Sequence, residues 1–295
     1  MSVEFCGLTL AHPVINGSGT FDAIAARRVF GDRLLEEFPF SAYVSKTITL
    51  EPRAGNPPPR LWETAAGLIN SIGLPNKGLD GYIREDLPQL AELTARASVV
   101  GGGASVPLIT NVMGATAEEL SRLVEACDAR AEIAAIELNV SCPNVGTGLD
   151  IGADPRQLEQ VVSAVRGRTA KPLIVKLTPN TADVPACAQG AEQGGADAVS
   201  LINTLRATAL APGGGRGARW LGGGGGGQSG PAIRAVALAQ VAAVAARVAL
   251  PVIGMGGLQS SAHARDLMDV GATLVAVGTE SFRDPAAGVR IAAGL

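Results

Sequence analysis

The stretch PLIVKLTPNTADVPACAQGAEQGGADAVSLIN, residues 172–203, decides the fold of this chain. Two apolar runs, PLIVKL (172–177) and DAVSLIN (197–203), lie on either side of a longer, Ala-rich segment that carries charges. Because both runs are continuously apolar rather than alternating, they predict strands buried on both faces, as in a parallel sheet covered by helices. The stretch is therefore predicted to be a strand–helix–strand unit.

The same pattern recurs along the whole chain. The predicted strands are PVIN (13–16), AYVSK (42–46), PLITNV (107–112), AAIELN (134–139), PLIVKL (172–177), DAVSLIN (197–203), PVIGM (251–255) and TLVAV (273–277). Eight such units in 295 residues favour an α/β fold of the closed (β/α)8 TIM-barrel type, as one domain over residues 1–295, over an open doubly wound sheet. The alternating start, VEFCGLTLAHP (3–13), predicts an N-terminal hairpin that caps the barrel floor.

Composition excludes several classes of protein. Hydrophobic residues make up 47% of the chain, which is enough to bury a large core and excludes global disorder. The net charge of −3, from 24 basic and 27 acidic residues, excludes a strongly basic nucleic-acid binder. The four cysteines show no CxxC spacing, and no segment is typical of a signal peptide or a membrane span. We expect a cytoplasmic protein with no membrane or nucleic-acid partner.

Two connections are longer than a barrel requires, 47–79 and 204–230. Connections of this length are usually lids or binding loops, here predicted at the C-terminal face of the barrel. Eleven of the twenty residues from Ala211 to Gly230 are glycine. Within them, the run from Gly222 to Gly227 is predicted to be a flexible, low-complexity insertion with no contact role.

Function in such barrels collects at the carboxyl ends of the strands, and these ends are polar here. Lys176 interrupts an apolar strand, so its ammonium group either reaches solvent or faces a ligand in the barrel mouth. With Lys46 it makes two cations at one rim, which favours an anionic ligand. The glycine turns GMGG (254–257) and VGT (277–279) follow the last two strands, and they indicate a phosphate cradle or simply tight turns.

Cys142 lies in SCPN, just past the fourth strand, where a thiol could act as a nucleophile, an acid or a base. The other cysteines are interpreted as small core residues. His12 precedes the first strand, and His263 lies in the helix after the seventh. Neither should reach the mouth, so the sequence predicts no histidine-based catalysis and no metal site.

These motifs together resemble class 1 dihydroorotate dehydrogenases over nearly the whole chain. The matching stretches are NGSGTF (16–21), KTITLEPRAGNPPPR (46–60), ETAAGLINSIGLPNKG (63–78), IELNVSCPNV (136–145), VKLTPN (175–180), LINTL (201–205), SGPAIR (229–234), IGMGG (253–257) and AVGT (276–279). KLTPN, LINT and SGPAI are most similar to the 1B subgroup, which passes electrons through a separate flavoprotein subunit to NAD.

The resemblance implies FMN as the cofactor and dihydroorotate as the substrate. FMN contacts are implied for Ser18, Lys46, Thr47, Asn111, Asn139, Lys176, Ile202, Gly230, Gly256, Gly257, Gly278 and Thr279. Substrate contacts are implied for Lys46, Asn70, Ser71, Ile72, Gly73, Leu74, Asn139, Asn144, Asn203 and Thr204. Cys142 matches the catalytic base, which removes the C5 proton while a hydride passes from C6 to flavin N5.

The resemblance also implies a partner, an FAD and 2Fe–2S electron-transfer subunit bound to a homodimer core. The sequence agrees, because it contains no iron–sulfur cysteine spacing and no strand–GxGxxG–helix unit for NAD. The alternatives are another FMN barrel reductase acting on pyrimidines, a fumarate-linked 1A-type enzyme, a flavin-free barrel lyase or synthase for a sugar phosphate, and a barrel that only binds ligands.

Overall fold

The structure is a computed structural model and describes residues 2–99, 102, 105–140 and 151–295. Its strands are β1 (Val3–Phe5), β2 (Leu8–Leu10), β3 (Val14–Asn16), β4 (Tyr43–Val44), β5 (Leu61–Thr64), β6 (Gly67–Asn70), β7 (Leu108–Val112), β8 (Ala135–Asn139), β9 (Leu173–Lys176), β10 (Ala198–Leu201), β11 (Leu205–Ala207), β12 (Gly226–Ser229), β13 (Val252–Met255) and β14 (Leu274–Val277).

Helices cover the outside of the barrel. They are α1 (Ala23–Phe30), α2 (Arg33–Glu36), α3 (Gly78–Gly81), α4 (Leu87–Arg96), α5 (Ala117–Asp128), α6 (Pro155–Arg166), α7 (Val184–Gln193), α8 (Arg234–Ala245), α9 (Ser261–Asp269), α10 (Glu280–Arg283) and α11 (Ala287–Ala292). Side-chain oxygens of Asp22, Thr116, Asp154, Asp183 and Ser260 accept backbone N–H groups where α1, α5, α6, α7 and α9 begin. Within the described ranges, no helix is both long and apolar enough to cross a lipid bilayer.

The predicted barrel is confirmed. Eight strands pair in the order β3-β14-β13-β10-β9-β8-β7-β4, and every pair in this sheet is parallel. These are the eight apolar runs of the sequence, with bounds that differ by a few residues. Because all eight strands point the same way, their carboxyl ends share one face, which is the barrel mouth.

The two ends of the sheet, β3 and β4, meet through a side chain. The amide of Asn16 accepts a hydrogen bond from the Val44 N–H and donates one to the Val44 carbonyl, both at 2.8 Å. A neighbouring backbone bond joins the Ser41 N–H to the Val14 carbonyl at 3.0 Å. The fully buried Asn16 thus supplies both hydrogen bonds that a paired strand would have given Val44 at this seam.

Asn16→Ala should therefore destabilise the fold by about 2–4 kcal/mol, because it leaves a buried donor and a buried acceptor of Val44 without partners. Chemical unfolding of the two proteins measures this difference. Gln89→Ala, on an exposed helix surface, is the control and should cost less than about 0.5 kcal/mol. A loss below 1 kcal/mol for Asn16→Ala would show that the seam does not depend on this amide.

The N-terminal hairpin closes the barrel floor, as predicted. β1 and β2 pair antiparallel, and their Phe5 and Leu10 are both 1% exposed. They pack with interior residues of the barrel such as Ile15 and Ile109. His12 is buried at this floor, and desolvation lowers its pKa to about 4.

The two long connections form one sheet over the barrel mouth. β5 and β6 come from the first connection, β11 and β12 from the second, and they pair antiparallel in the order β11-β12-β6-β5. Trp62 of β5 in this lid sheet meets Trp220, which lies between β11 and β12, edge to face with 5.6 Å between the ring centroids. The prediction of lids at the C-terminal face is therefore confirmed.

The prediction that Gly222 to Gly227 has no contact role is wrong. The Gly222 N–H donates to the Pro59 carbonyl at 2.8 Å, and Gly226 and Gly227 belong to β12. A Cβ atom on Gly226 would lie 2.2 Å from the Asn70 carbonyl oxygen, and one on Gly227 would lie 1.9 Å from the Thr204 hydroxyl. Glycine is needed here because neighbouring chain segments approach closely, and a repetitive composition does not reveal that need.

Candidate active site

A cavity of about 460 Å³ lies at the barrel mouth beneath the lid sheet. Its wall includes most of the residues that the sequence predicted for a cofactor or a substrate, although their roles remain predictions. These are Ser18, Lys46, Thr47, Asn70, Ile72, Leu74, Asn139, Lys176, Ile202, Asn203, Thr204, Gly230, Gly256, Gly257, Gly278 and Thr279. The volume is in the range of pockets that hold small molecules and cofactors.

Three predicted residues lie behind the wall. Asn111 is fully buried on β7. The Ser71 hydroxyl lies 3.0 Å from the Asn56 amide nitrogen that donates to it, and a Cβ atom on Gly73 would lie 2.5 Å from the Asn56 backbone nitrogen. They are not part of the cavity lining, and their roles stay predictions.

Two predicted residues, Cys142 and Asn144, lie outside the described residues. The described chain reaches the mouth on both sides of them. Asn139 ends β8 on the cavity wall, and its amide lies 3.4 Å from the Thr47 hydroxyl. The Gly152 N–H donates to the Val140 carbonyl at 3.1 Å. The flanking residues thus lie at the mouth end of β8.

Lys176 is a buried cation in the wall of the cavity. It is only 6% exposed, and it makes no hydrogen bond or ion pair with another residue that the structure describes. The alternative in which its side chain reaches solvent is therefore wrong. A buried ammonium group without a partner is costly, so its position in a cavity wall favours an electron-rich or anionic ligand.

The remaining charges of the wall leave the cavity positive. Lys46 is exposed at the rim. Glu280 is the carboxylate of the described lining, and Arg283 donates to it at 2.7 Å and Gln259 at 2.9 Å. Because these donors already bind the Glu280 carboxylate, its negative charge repels an anionic ligand only weakly.

The glycine turns after β13 and β14 expose their backbone to the cavity, and this backbone surface is the predicted cradle. Gly256 and Gly257 have φ of 132° and 71°, a region that favours glycine, and Gly230 across from them has 88°. A Cβ atom on Gly257 would lie 2.6 Å from the Arg234 Cβ. The Thr279 hydroxyl donates to the Ser229 hydroxyl at 2.8 Å. Such a cradle lets the backbone approach a phosphate group.

Gly278 offers the sharpest test of this cradle. A Cβ atom there would meet nothing closer than the Thr20 methyl at 3.9 Å, so the protein itself tolerates alanine. Gly278 lines the cavity, so with the phosphate of FMN in this cradle, as the resemblance implies, Gly278→Ala should weaken binding of FMN at least about tenfold without lowering the melting temperature. Fluorescence titration of the apoprotein measures the affinity. Gly167→Ala, also in open space but on the outer helical layer, is the control; equal affinity of both variants would exclude phosphate binding at Gly278.

Two polar residues near the cavity, Glu137 and Ser200, were not predicted from the sequence. Both are buried on the inner side of the barrel, where Glu137 receives hydrogen bonds from the Asn111 amide at 2.5 Å and from the Ser200 hydroxyl at 2.7 Å. The sequence did contain a signal for Glu137. It precedes Asn139 by two residues, so both side chains lie on the same face of β8. A carboxylate inside a continuously apolar strand is as informative as Lys176.

The described cysteines and histidines agree with their predicted minor roles. Cys6, Cys127 and Cys187 are free, and burial raises the pKa of Cys6 to about 11 and that of Cys127 to about 12. Both stay protonated near neutral pH. His263 lies in α9, as predicted. In the described ranges, no group of three or more His, Cys, Asp or Glu residues could hold a metal ion.

The fold and its mouth cavity are those of an α/β-barrel enzyme. The chain matches the family model described as dihydroorotate dehydrogenase over residues 1–295. It is 43% identical to the "Dihydroorotate dehydrogenase B (NAD(+)), catalytic subunit" of Geotalea daltonii, over 100% of this chain and 92% of the relative. The protein of the same name from Trichlorobacter lovleyi is 44% identical with the same coverage. The chain therefore belongs to the dihydroorotate dehydrogenase family, which confirms the resemblance and the prediction of an oxidoreductase.

Proposed function

We propose that this chain is the catalytic subunit of an NAD-linked dihydroorotate dehydrogenase, which oxidises (S)-dihydroorotate to orotate in the de novo synthesis of pyrimidines. The observation that carries the proposal is the full-length similarity to proteins that bear this name. A mouth cavity with a glycine cradle and a buried lysine supports the same reaction.

FMN fits the residues that form the cavity. The cradle of Gly230, Gly256, Gly257 and Gly278 suits its phosphate, since glycines place no side chain between their backbone and the cavity that they line. Lys176, buried and without a described partner, suits the electron-rich end of the ring system. When bound, FMN would supply an acceptor for the hydride from C6 of dihydroorotate.

The chain's own residues would bind and orient the substrate. Lys46 at the rim supplies a positive charge for the carboxylate, and the amides of Asn70 and Asn203 suit the polar edge of a pyrimidine ring. The apolar wall of Leu61, Leu68 and Leu74 would exclude water from the ring faces. Together these contacts would hold a flat, acidic heterocycle in one orientation.

Cys142 would remove the proton. Its thiolate would take the C5 proton of dihydroorotate, so that a carbon–carbon double bond forms as the hydride leaves C6. An ordinary thiol has a pKa of roughly 8.5, so we expect activity to rise toward alkaline pH unless the site lowers that value. The residue's position in the sequence, three residues after Asn139, supports this role.

Electrons must then leave the chain. We propose an FAD and 2Fe–2S subunit, bound to a homodimer core of this chain, as the route to NAD. The support is the name of the relatives, which are catalytic subunits of an NAD(+)-linked enzyme. We also propose a cytoplasmic location, which the free thiols of Cys6, Cys127 and Cys187 support.

Anaerobic addition of dihydroorotate to the purified chain tests the function. We expect yellow protein that bleaches within the mixing time of seconds, passes electrons to an artificial dye, and does not reduce NAD. Dihydrouracil and fumarate are tested in parallel, because bleaching by dihydrouracil would favour a different pyrimidine reductase and reoxidation by fumarate a 1A-type enzyme. A colourless protein that cannot be reconstituted with FMN would refute the proposal.

A further inference from the structure

A buried carboxylate lies beneath the cavity, and the proposed reaction does not use it. Glu137 is 2% exposed, and both of its oxygens accept hydrogen bonds, one from Asn111 and one from Ser200. Acceptance at both oxygens is the pattern of an ionised carboxylate. A charge held in the interior of a barrel, with two dedicated donors, calls for a reason beyond packing.

The strand register places this carboxylate diagonally across from Lys176 on the same inner face, because Glu137 pairs with Ile174, two residues before Lys176. Glu137 lies on β8 and Ser200 on β10, with β9 between them. Ser200 is the direct register partner of Lys176, and Asn139 is its partner on the other side. The Glu137–Ser200 hydrogen bond therefore crosses the inner face of β9, which carries Ile174 of the interior cluster and then Lys176.

The two hydrogen bonds hold Glu137 in place. Lys176 makes no ion pair with a described residue, so the two charges are neighbours that do not neutralise each other by direct contact. The ammonium group is left to face the cavity, and the carboxylate lowers the net positive charge that the cavity experiences. In a buried setting such a fixed charge acts over several ångströms because little water screens it.

We propose that Glu137 is the fixed counter-charge of Lys176 and that it limits how strongly the cavity favours the reduced flavin over the oxidised one. The inference rests on the proposed binding of FMN in this cavity. Reduction adds electrons to the ring, so a positive site stabilises the reduced form and a negative charge beneath it opposes that effect. Glu137 is thus a positioning and tuning residue, which does not touch the substrate.

Glu137→Gln tests the proposal because it removes the charge but keeps the size and one acceptor oxygen. In equilibrium with a redox indicator dye, two electrons pass from the reduced dye to the flavin, and the ratio of reduced to oxidised flavin reports the potential. We expect this ratio to rise at least about tenfold over wild type, toward easier reduction. Circular dichroism and thermal unfolding confirm that the variant is folded.

Two further variants separate charge from structure. Ser200→Ala removes one hydrogen bond but leaves the carboxylate, and Glu137→Asp keeps the charge on a shorter side chain; both should stay within about threefold of the wild-type ratio. The proposal is overturned if Glu137→Gln leaves the ratio within twofold of wild type, or lowers it, or if Ser200→Ala shifts it as far. Each of these results would refute only this inference, provided that the wild-type protein binds FMN and is bleached by dihydroorotate. A wild-type protein that cannot bind FMN would refute the proposed function as well.

Discussion

Cys142→Ala should keep its yellow FMN and yet be reduced by dihydroorotate at least about 100-fold more slowly than wild type. A positioned general base contributes roughly 10²–10⁴-fold to the rate of proton removal, and alanine has no group to replace it. Stopped-flow spectroscopy under anaerobic conditions measures the reduction directly. Because the product double bond needs both the proton lost from C5 and the hydride lost from C6, the loss should appear in the rate of bleaching rather than in the affinity for orotate.

The control for this variant is Cys6→Ala. Cys6 is a free thiol at the barrel floor, where its Sγ donates to the Asp197 carbonyl, and its raised pKa keeps it protonated near neutral pH, so it cannot accept a proton there. We expect normal flavin reduction in this control. Bleaching of Cys142→Ala within threefold of wild type would remove Cys142 from the mechanism and leave another group to take the proton.

Lys176→Met is expected to have the second-largest effect. It replaces a buried cation in the cavity wall with an apolar side chain of similar length. Removing one preorganised electrostatic contact of this kind costs roughly 10²–10³-fold, so we expect reduction by dihydroorotate to slow about 100-fold. The equilibrium with an indicator dye should also shift toward oxidised flavin, opposite in direction to Glu137→Gln.

Lys77→Met provides the matched control. Its ammonium group lies outside the cavity lining and pairs with Asp86 at 2.5 Å and with Glu85 at 3.1 Å on the surface. A surface pair of this kind contributes little, so flavin reduction and the dye equilibrium should both stay near wild type. If Lys176→Met kept the wild-type dye equilibrium, the ammonium group would not act on the flavin electrons.

The barrel could be predicted from sequence because its signal is local and repeated. Each of the eight runs is buried on both faces, and continuous apolar character is enough to mark such strands. The glycine turns after the last two strands were also visible, since their position in the barrel gives them meaning. Lys176 and Asn139 were found for the same reason, as polar residues at strand ends.

The lid sheet and the buried carboxylate were harder to predict. β11 has only three residues, too few for a clear pattern, and β12 is half glycine, because its pairing with β6 depends on close backbone approach. Such pairing is a long-range property that local composition does not show. Glu137 was overlooked because its partners, Asn111 and Ser200, come from strands that are 26 and 63 residues away in sequence.

The pairing of the two long connections has a consequence for engineering and for evolution. Since β12 of the second connection pairs with β6 of the first, neither connection can be transplanted from a relative as an independent module. A chimera that exchanges residues 204–230 alone would bring a foreign edge against β6, and the glycines that admit Asn70 would no longer match. Substitutions in the two segments should therefore be inherited together. Transfer of substrate specificity from a relative should succeed only when both connections are exchanged at once.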